Sequence, residues 1–328
     1  MKGEVFLTGG SGFIGGHVLS ALLAAGYQVR VLTRPGSKFP EADGCRSVEG
    51  DLRRAGDLVD AMKGCRYLMH VAAVYTFSPG RRREIAATNV RGTKSLLEAA
   101  RLAGIETAVM TSSSATVGPA NGRLSNEGDW ALDSPSAYHQ SKLEAERVAM
   151  AARVPTTLVL PTMPIGPGDW KPTPTGRMVL ELMRGHMFAT LGGGVNVVAV
   201  EDVAAAHVTA LERGRLRERY LIGGENLPLA DLFSRLAAIS GRRAPRARIP
   251  YGAAFALGWA DELRCRVLSR AGQVSEPLVP LEGVHMARHN MYVSSAKAQD
   301  ELGYIPGPVD PALEGSVRWY RDHGYVGC

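Results

Sequence analysis

Near the start of the chain, between an apolar strand pattern and an apolar helix pattern, stands Thr8-Gly9-Gly10-Ser11-Gly12-Phe13-Ile14-Gly15. Three of its glycines fall at intervals of three, and they constrain the surrounding fold more than any other feature. Gly9 supplies a tight turn, Gly12 lets a ligand approach the backbone, and Gly15 lets the helix pack on the sheet. Unpaired N–H groups and the dipole at such a helix start favour an anion, so the loop predicts a pyrophosphate site. Glycines also serve ordinary turns; the position between strand and helix is what lifts this string above them. Dinucleotide contacts are therefore expected at Gly9, Ser11, Gly12, Phe13, Ile14 and Gly15.

The alternation begun there continues. Strands are expected at 4–8, 28–33, 46–49, 66–71, 107–112 and 156–160, with helices over 13–25, 58–63, 85–103 and 136–152. Right-handed crossovers turn that order into an α/β fold, a Rossmann-type doubly wound parallel sheet. After Pro161 the texture changes: residues 161–174 are rich in Pro and Gly and exclude regular helix. The expected organisation is a nucleotide-binding core over 1–161 and a smaller C-terminal substrate-binding region over 162–328. Strands near 195–200 and 219–222 are expected to return to the sheet, and helices to form over 202–213, 229–240, 251–269 and 310–323.

A net charge of +6 raises the question of an acidic partner. The arginines are scattered, chiefly through 81–83, 213–219 and 242–248, and read as solvated surface. They lack the aromatic interleaving of a nucleic-acid groove, so no nucleic-acid partner is expected. Cys45, Cys65, Cys265 and Cys328 have neither zinc spacing nor a disulfide framework, which predicts reduced thiols, no metal and a cytoplasmic setting. Met1-Lys2-Gly3-Glu4 runs straight into a strand, so no signal peptide is expected, and no apolar run is long enough for an integral membrane segment. A peripheral membrane contact and a homodimer both stay open.

Chemistry gathers around the fifth and sixth strands. Tyr138 and Lys142 stand four apart on one helix and so share a face. Thr111-Ser112-Ser113-Ser114 ends the fifth strand, at the edge where such sheets bind ligands. Reducing a carbonyl by hydride leaves an alkoxide that needs a proton, and oxidising an alcohol needs a base. An ammonium about 4 Å away is worth about 4 kcal/mol at an effective dielectric near 20, enough to bring a phenol from about 10 towards neutrality. Lys142 can also hold a nicotinamide ribose while a serine hydroxyl positions the substrate oxygen. A Tyr and a Lys at this spacing are common by chance; with the glycine loop and the serine run in the same order they are not.

The second strand ends Val31-Leu32-Thr33-Arg34, with Lys38 soon after and no carboxylate between. A guanidinium there pairs with a 2′-phosphate, which favours NADP(H) and leaves NAD(H) admissible; a plain surface arginine is the alternative. Asp51, followed by Leu52, reads either as a contact to the adenine edge or as a helix N-cap.

With these residues in place the chain resembles an extended short-chain dehydrogenase/reductase over essentially its whole length. Gly50-Asp51-Leu52, His70-Val71-Ala72-Ala73, Asn89-Val90-Arg91-Gly92-Thr93 and Val200-Glu201-Asp202-Val203-Ala204 carry the likeness. Within that superfamily it is most similar to hopanoid-associated sugar epimerases and dihydroflavonol-reductase-like proteins, through Pro164-Ile165-Gly166-Pro167, Lys171-Pro172-Thr173-Pro174-Thr175-Gly176 and Tyr220-Leu221-Ile222-Gly223-Gly224-Glu225-Asn226. The resemblance implies Tyr138 as acid/base, Lys142 as its partner, and Ser113 as the third member, with Ser114 as second choice. It also implies nicotinamide contacts from Ala72, Ala73, Asn89, Pro161 and Met163. Nucleotide-sugar epimerases of the superfamily carry an Asn after the sixth strand and an Arg before the Asp-Val-Ala segment. Here those places read Pro161-Thr162-Met163 and Asn196-Val197-Val198, so an amide and a guanidinium are lost.

Other residues allow two readings. His139 is expected on a different helix face from Tyr138, and His70 is expected to be a packed strand residue. Trp170, Met178, Met183, Met187 and Phe188 either line an apolar pocket or fill the core. The helix over 251–269, apolar first and basic later, reads as an ordinary packed helix rather than a membrane anchor. Three functions compete: an NADP(H)-dependent oxidoreductase acting on an apolar small molecule, an epimerase that retains its cofactor, and an NADPH sensor, against which the full Tyr-Lys-Ser set argues.

Overall fold

Val5, Phe6 and Leu7 of the first strand are all fully buried, because helices cover both faces of the sheet they enter. The computed structural model describes residues 2–37, 39, 42–120, 122–131, 136–187, 189–270, 273 and 275–326. Its first part runs β1 (Glu4–Thr8), α1 (Phe13–Ala24), β2 (Gln28–Thr33), β3 (Cys45–Glu49), α2 (Ala55–Met62) and β4 (Tyr67–His70). Then come α3 (Arg82–Ile85), α4 (Thr93–Ala103), β5 (Thr107–Thr111), α5 (Ala137–Ala151) and β6 (Thr156–Pro161). The chain continues with β7 (Met163–Ile165), α6 (Pro174–Met183), β8 (Ala189–Thr190), β9 (Gly194–Ala199), α7 (Val200–Arg213), β10 (Arg219–Ile222) and β11 (Glu225–Pro228). It closes with α8 (Leu229–Ser240), β12 (Ala247–Arg248), α9 (Tyr251–Arg270), α10 (Leu281–Met286), α11 (Ala296–Leu302) and α12 (Val309–Asp322).

Seven parallel strands stand in the order β10-β6-β5-β4-β1-β2-β3, the Rossmann-type sheet expected from the alternation. The winding reverses between β1 and β4, and ligands of such sheets sit beyond the carboxyl ends at that switch. One face is packed by α1, α7 and α11, through Val18, Leu22, Val203, Ala206 and Leu302. The other is packed by α2, α4 and α5, through Leu58, Met62, Leu96, Ala100 and Ala149. A third core joins α6, α8 and α12 to β7 and β9.

The structure departs from the expectations in four places. Of the two late strands, only β10 joins the large sheet; β9 pairs with β7 and β11 in a separate three-stranded sheet. The cause is the Gly223-Gly224 turn: a Cβ on Gly224 would stand 2.4 Å from the Val197 carbonyl, so only glycine lets β11 fold back onto β9. Although they follow residue 161, β10, α7 and α11 lie in the layers of the large sheet. The helix expected over 85–103 is α-helical only at its ends, with a π-helix over Ala86–Gly92 between α3 and α4. Finally α6 was not expected, because Pro174 reads as a breaker. It is instead the first residue of the helix, where its missing N–H costs nothing, and Thr173 caps it by accepting from Gly176 N at 3.1 Å.

Candidate active site

The glycine loop closes on itself. Gly12 N–H donates to the Gly9 carbonyl at 2.9 Å, and Gly9 takes the left-handed φ of +80°. A Cβ on Gly9 would fall 2.6 Å from Ala72 N, at the end of β4. A Cβ on Gly15 would fall 1.9 Å from the Gly9 carbonyl oxygen. Gly15 is thus required by the loop above it and not by packing on the sheet, as the sequence pattern had suggested. Ser11 and Gly12 are exposed, Phe13 and Ile14 half-buried, and the start of α1 has no side-chain cap and no acidic residue in its first turn. A glycine cradle over an uncapped helix start fits a pyrophosphate.

Beside it, Arg34 is exposed at the end of β2, and Lys38 lies outside the described residues. Glu49, overlooked in the sequence because it ends the neighbouring strand, accepts from Gly36 N at 3.1 Å and ties down this loop. Asp51 does not cap α2, whose N-cap is Arg54. It accepts from the Arg53 backbone at 2.9 Å and from its guanidinium, which holds the carboxyl down at about 2. Leu52 packs on Gly92. Glu84, ion-paired with Arg81 at 2.7 Å, is kept below its ordinary value by that pair, and Arg34 and Arg53 act in the same direction.

Ala72 N–H donates to the Thr8 hydroxyl at 3.3 Å, and Ala73 is exposed. Asn89 has its amide committed to protein partners. It accepts from Val74 N at 2.8 Å and donates to Val74 O and Ser141 Oγ, both at 3.0 Å. Its side chain therefore braces the segment after β4. Pro161 is buried at the end of β6, and Met163 opens β7 against the third core.

Ser113, Tyr138 and Lys142, the groups expected to react, meet where β5 passes into α5. The Ser113 hydroxyl is hydrogen-bonded to the Tyr138 phenol and also accepts from Ala115 N at 3.2 Å. Ser114 lines the adjoining cavity. Tyr138 sits in the first turn of α5, capped by Ser136, which accepts from His139 N at 3.2 Å. Lys142 Nζ donates to the Thr111 carbonyl at 3.0 Å and lies 6.0 Å from the Tyr138 ring centre. Helical spacing predicts an ammonium close enough to lower the phenol; here burial pushes the phenol well above its ordinary value, and the Ser113 hydrogen bond opposes it. Burial also pushes the Lys142 ammonium down to about 8, with Glu146 acting the other way.

Glu146, one turn beyond Lys142, went unnoticed in the sequence. It is fully buried and faces Arg219 of β10 at 2.9 Å, while Ser112 and Thr116 donate to its other oxygen. The Arg219 guanidinium also lies 3.6 Å from the Trp130 ring centre. This buried pair ties the serine run to the edge strand, and losing either partner would strand a charge.

A cavity of about 460 Å³ opens over Tyr138. Its walls are largely apolar, with Phe77, Ile85, Val117, Leu281, Met286 and Val293 among them. Tyr75 lies against the Tyr138 ring, 4.6 Å between centres. The polar residues of the wall include His139 and Glu282, 3.1 Å apart. Burial pushes Glu282 up to about 7, against a Ser136 hydrogen bond and Arg82, and pushes His139 down to about 4. His139, expected on another face, thus shares the cavity with Tyr138. Met178, Met183 and Met187 do not line it; they pack in the third core, while Trp170 sits on Trp319 at the surface. Phe188 lies outside the described residues. Asn196 is knotted to the Thr162 hydroxyl and to Asn226 at 2.8 and 2.9 Å. His70 links Thr8 and Thr93 at 2.8 and 2.9 Å, as a packed strand residue would.

Residues 5–223 match the sequence signature of the NAD dependent epimerase/dehydratase family. The chain belongs to that family. A Synechocystis protein provisionally named a dihydroflavonol 4-reductase is 38% identical over 336 residues, 98% of this chain and 95% of its own. Sterol demethylase protein B of Methylococcus capsulatus is 31% identical over 330 residues, 98% of this chain and 99% of its own. Among solved structures, that of gox2253 superposes with a TM-score of 0.84 at 34% identity, covering 99% and 100% of the two chains. The family member described here is accordingly an extended short-chain dehydrogenase/reductase, a nicotinamide-dinucleotide-dependent oxidoreductase of CH–OH groups. Among its described residues there is no cluster of three or more His, Cys, Asp or Glu able to hold a metal, and no helix long and apolar enough to cross a membrane.

Proposed function

We propose that the protein interconverts a carbonyl and a secondary or primary alcohol on an apolar small molecule, using NADP(H) in preference to NAD(H). The observation that carries this is the Ser113–Tyr138 hydroxyl pair at the edge of a largely apolar cavity. A nicotinamide dinucleotide bound there would supply or accept the hydride. Ser113 and Tyr138 hold the substrate oxygen between two hydroxyls, and the Tyr138 O–H delivers a proton as that oxygen gains charge. Lys142, fixed by the Thr111 carbonyl, contributes a positive charge behind the phenol and a donor for the ribose. The pyrophosphate would rest on Gly9, Ser11, Gly12, Phe13, Ile14 and Gly15, and the 2′-phosphate on Arg34. Ala72, Ala73, Pro161 and Met163 would border the nicotinamide.

In this reading residues 1–161 and Met163 hold the cofactor, and the substrate wall draws on both parts of the chain. Phe77, Ile85 and Val117 supply one side, and the segment from Glu262 to Val293 supplies the other. An apolar body suits that wall, and relatives named for a flavonoid and for a sterol reaction point the same way. The Asn196 amide is spent on Thr162 and Asn226 and is not free for a sugar diphosphate. The test is NADPH consumption against a panel of hydrophobic ketones, aldehydes and alcohols beside UDP-glucose and UDP-galactose. Saturable oxidation of NADPH by members of the first group is expected. Interconversion of the sugars without net cofactor consumption would replace this assignment by epimerisation.

A further inference from the structure

Helix α9 is packed inside out. Its buried residues are the small ones, Ala254, Gly258 and Cys265. A Cβ on Gly258 would already stand 3.2 Å from Leu281, so the helix lies close against α10 and has no room for larger side chains on that face. Its large apolar residues point away: Phe255, Leu257, Trp259, Leu263 and Val267 are all exposed, Trp259 by 58%. Leu278, in the segment that returns towards α10, is 83% exposed. A packed helix keeps its large residues inside, so this arrangement marks a face built to be covered.

Charge indicates the covering. Residues 242–288 contain eight arginines and four carboxylates, a surplus of four in a chain whose whole surplus is six. Arg243, Arg246 and Arg248 are exposed just before α9, and Arg264, Arg266 and Arg270 are exposed along its second half. Among the described residues, Arg243, Arg246, Arg248 and Arg270 have no ion-pair partner, whereas Arg264 and Arg266 pair with Asp261 and Glu262. A second copy docked symmetrically would bring this positive surplus against itself. A bilayer surface carrying anionic headgroups would instead satisfy both the arginines and the apolar stripe.

We propose that α9 and the arginines around it form a peripheral docking face for anionic lipid bilayers. The face borders the active-site cavity, because Glu262 and Arg266 of the same helix and Leu281 of α10 line it. The docking stands apart from the reaction assigned above. Only its use as a route for apolar substrate depends on that assignment.

The experiment is co-sedimentation of the full chain with vesicles of phosphatidylcholine alone or with one-quarter phosphatidylglycerol. Trp259→Glu, Leu263→Glu and the triple change Arg243→Glu/Arg246→Glu/Arg248→Glu are measured beside the unmodified protein. Vesicles with phosphatidylglycerol should bind at least tenfold more protein, and each variant should lose at least tenfold. Melting temperature and NADPH affinity should stay unchanged, since none of these residues belongs to the core or the cofactor site. Failure to bind the anionic vesicles, or binding that survives Trp259→Glu, would overturn the proposal. So would a lipid-free dimer that Trp259→Glu splits without any vesicle binding, which would identify a second copy as the occupant.

Discussion

The glycine loop and the cavity wall are built on opposite principles. Eight consecutive residues make the loop, and its shape is enforced by backbone atoms: the Gly9 carbonyl occupies the place a Gly15 side chain would need. The cavity wall is assembled from segments far apart in the chain, with Phe77, Val117, Tyr138, Leu281 and Val293 among its lining residues. Backbone-enforced geometry tolerates almost no substitution, whereas a side-chain wall can be re-cut for a new substrate without disturbing the cofactor. A family with one cofactor class and many substrates fits that division.

The sharpest way to break the comparison is at the point where the two regions meet. Tyr138→Phe keeps the ring packed on Tyr75 and removes only the hydroxyl. We expect NADPH turnover to fall about a thousandfold, within the usual worth of a positioned acid, with NADPH affinity changed only a few-fold. Retention of substantial turnover would take the proton-transfer role away from this residue.

Next comes the loop against the wall. Gly15→Ala forces a methyl to within 1.9 Å of a backbone oxygen, so the loop must open. Titration calorimetry should show NADPH affinity down by more than tenfold and, from overpacking, stability down by about 1–3 kcal/mol. Leu281→Ala in the wall should leave NADPH affinity alone and raise KM for the apolar substrate. Equal effects of the two changes on cofactor affinity would erase the distinction.

The proposed preference for NADP(H) rests on one exposed side chain, Arg34. NADPH should bind at least tenfold more tightly than NADH, and Arg34→Asp should invert the order. Equal affinities in the unmodified protein would remove Arg34 from the site. Glu49 holds the same loop by accepting from Gly36 N.

The mildest effect concerns pH. The folded-state value of Glu282 is raised from 4.5 to about 7, so the stability it contributes is full below about 4.5 and is lost as pH rises towards 7. His139, lowered from 6.5 to about 4, works in the other sense: its contribution is present above 6.5 and is lost as pH falls through 4. Glu282→Gln removes the first effect alone. Melting temperatures of the variant relative to the unmodified protein should therefore climb by a few degrees between pH 4.5 and 7. A difference that stays flat over that window would mean that Glu282 ionises freely in the folded protein.

Legibility in the sequence followed the same divide. Strands β1 to β6 and the large sheet could be read from alternation, because each is a local apolar run between turn residues. Tyr138 and Lys142 could be paired because helical spacing alone places them on one face. The sequence could not reveal Glu146, since its partner Arg219 arrives from a strand 73 positions later, a difference fixed only when β10 docks beside β6. Nor could it reveal Glu282 beside His139, or α9 turned with its small residues inward. The placement of Met178, Met183 and Met187 stayed open in the sequence, because an apolar run near a ligand loop has the composition of a pocket whether it faces a cavity or the core.

By itself the sequence determined the fold class, the glycine turn between β1 and α1, and the helical spacing that puts Tyr138 and Lys142 on one face. These depend on contacts within a few residues or on one helical turn, where periodicity fixes direction. The tertiary structure alone decided how far Lys142 lies from the phenol, which residues line the cavity, and which face of α9 meets solvent. Those outcomes depend on the burial and mutual approach of distant segments, and burial sets both the free energy of a charge and the direction of a side chain.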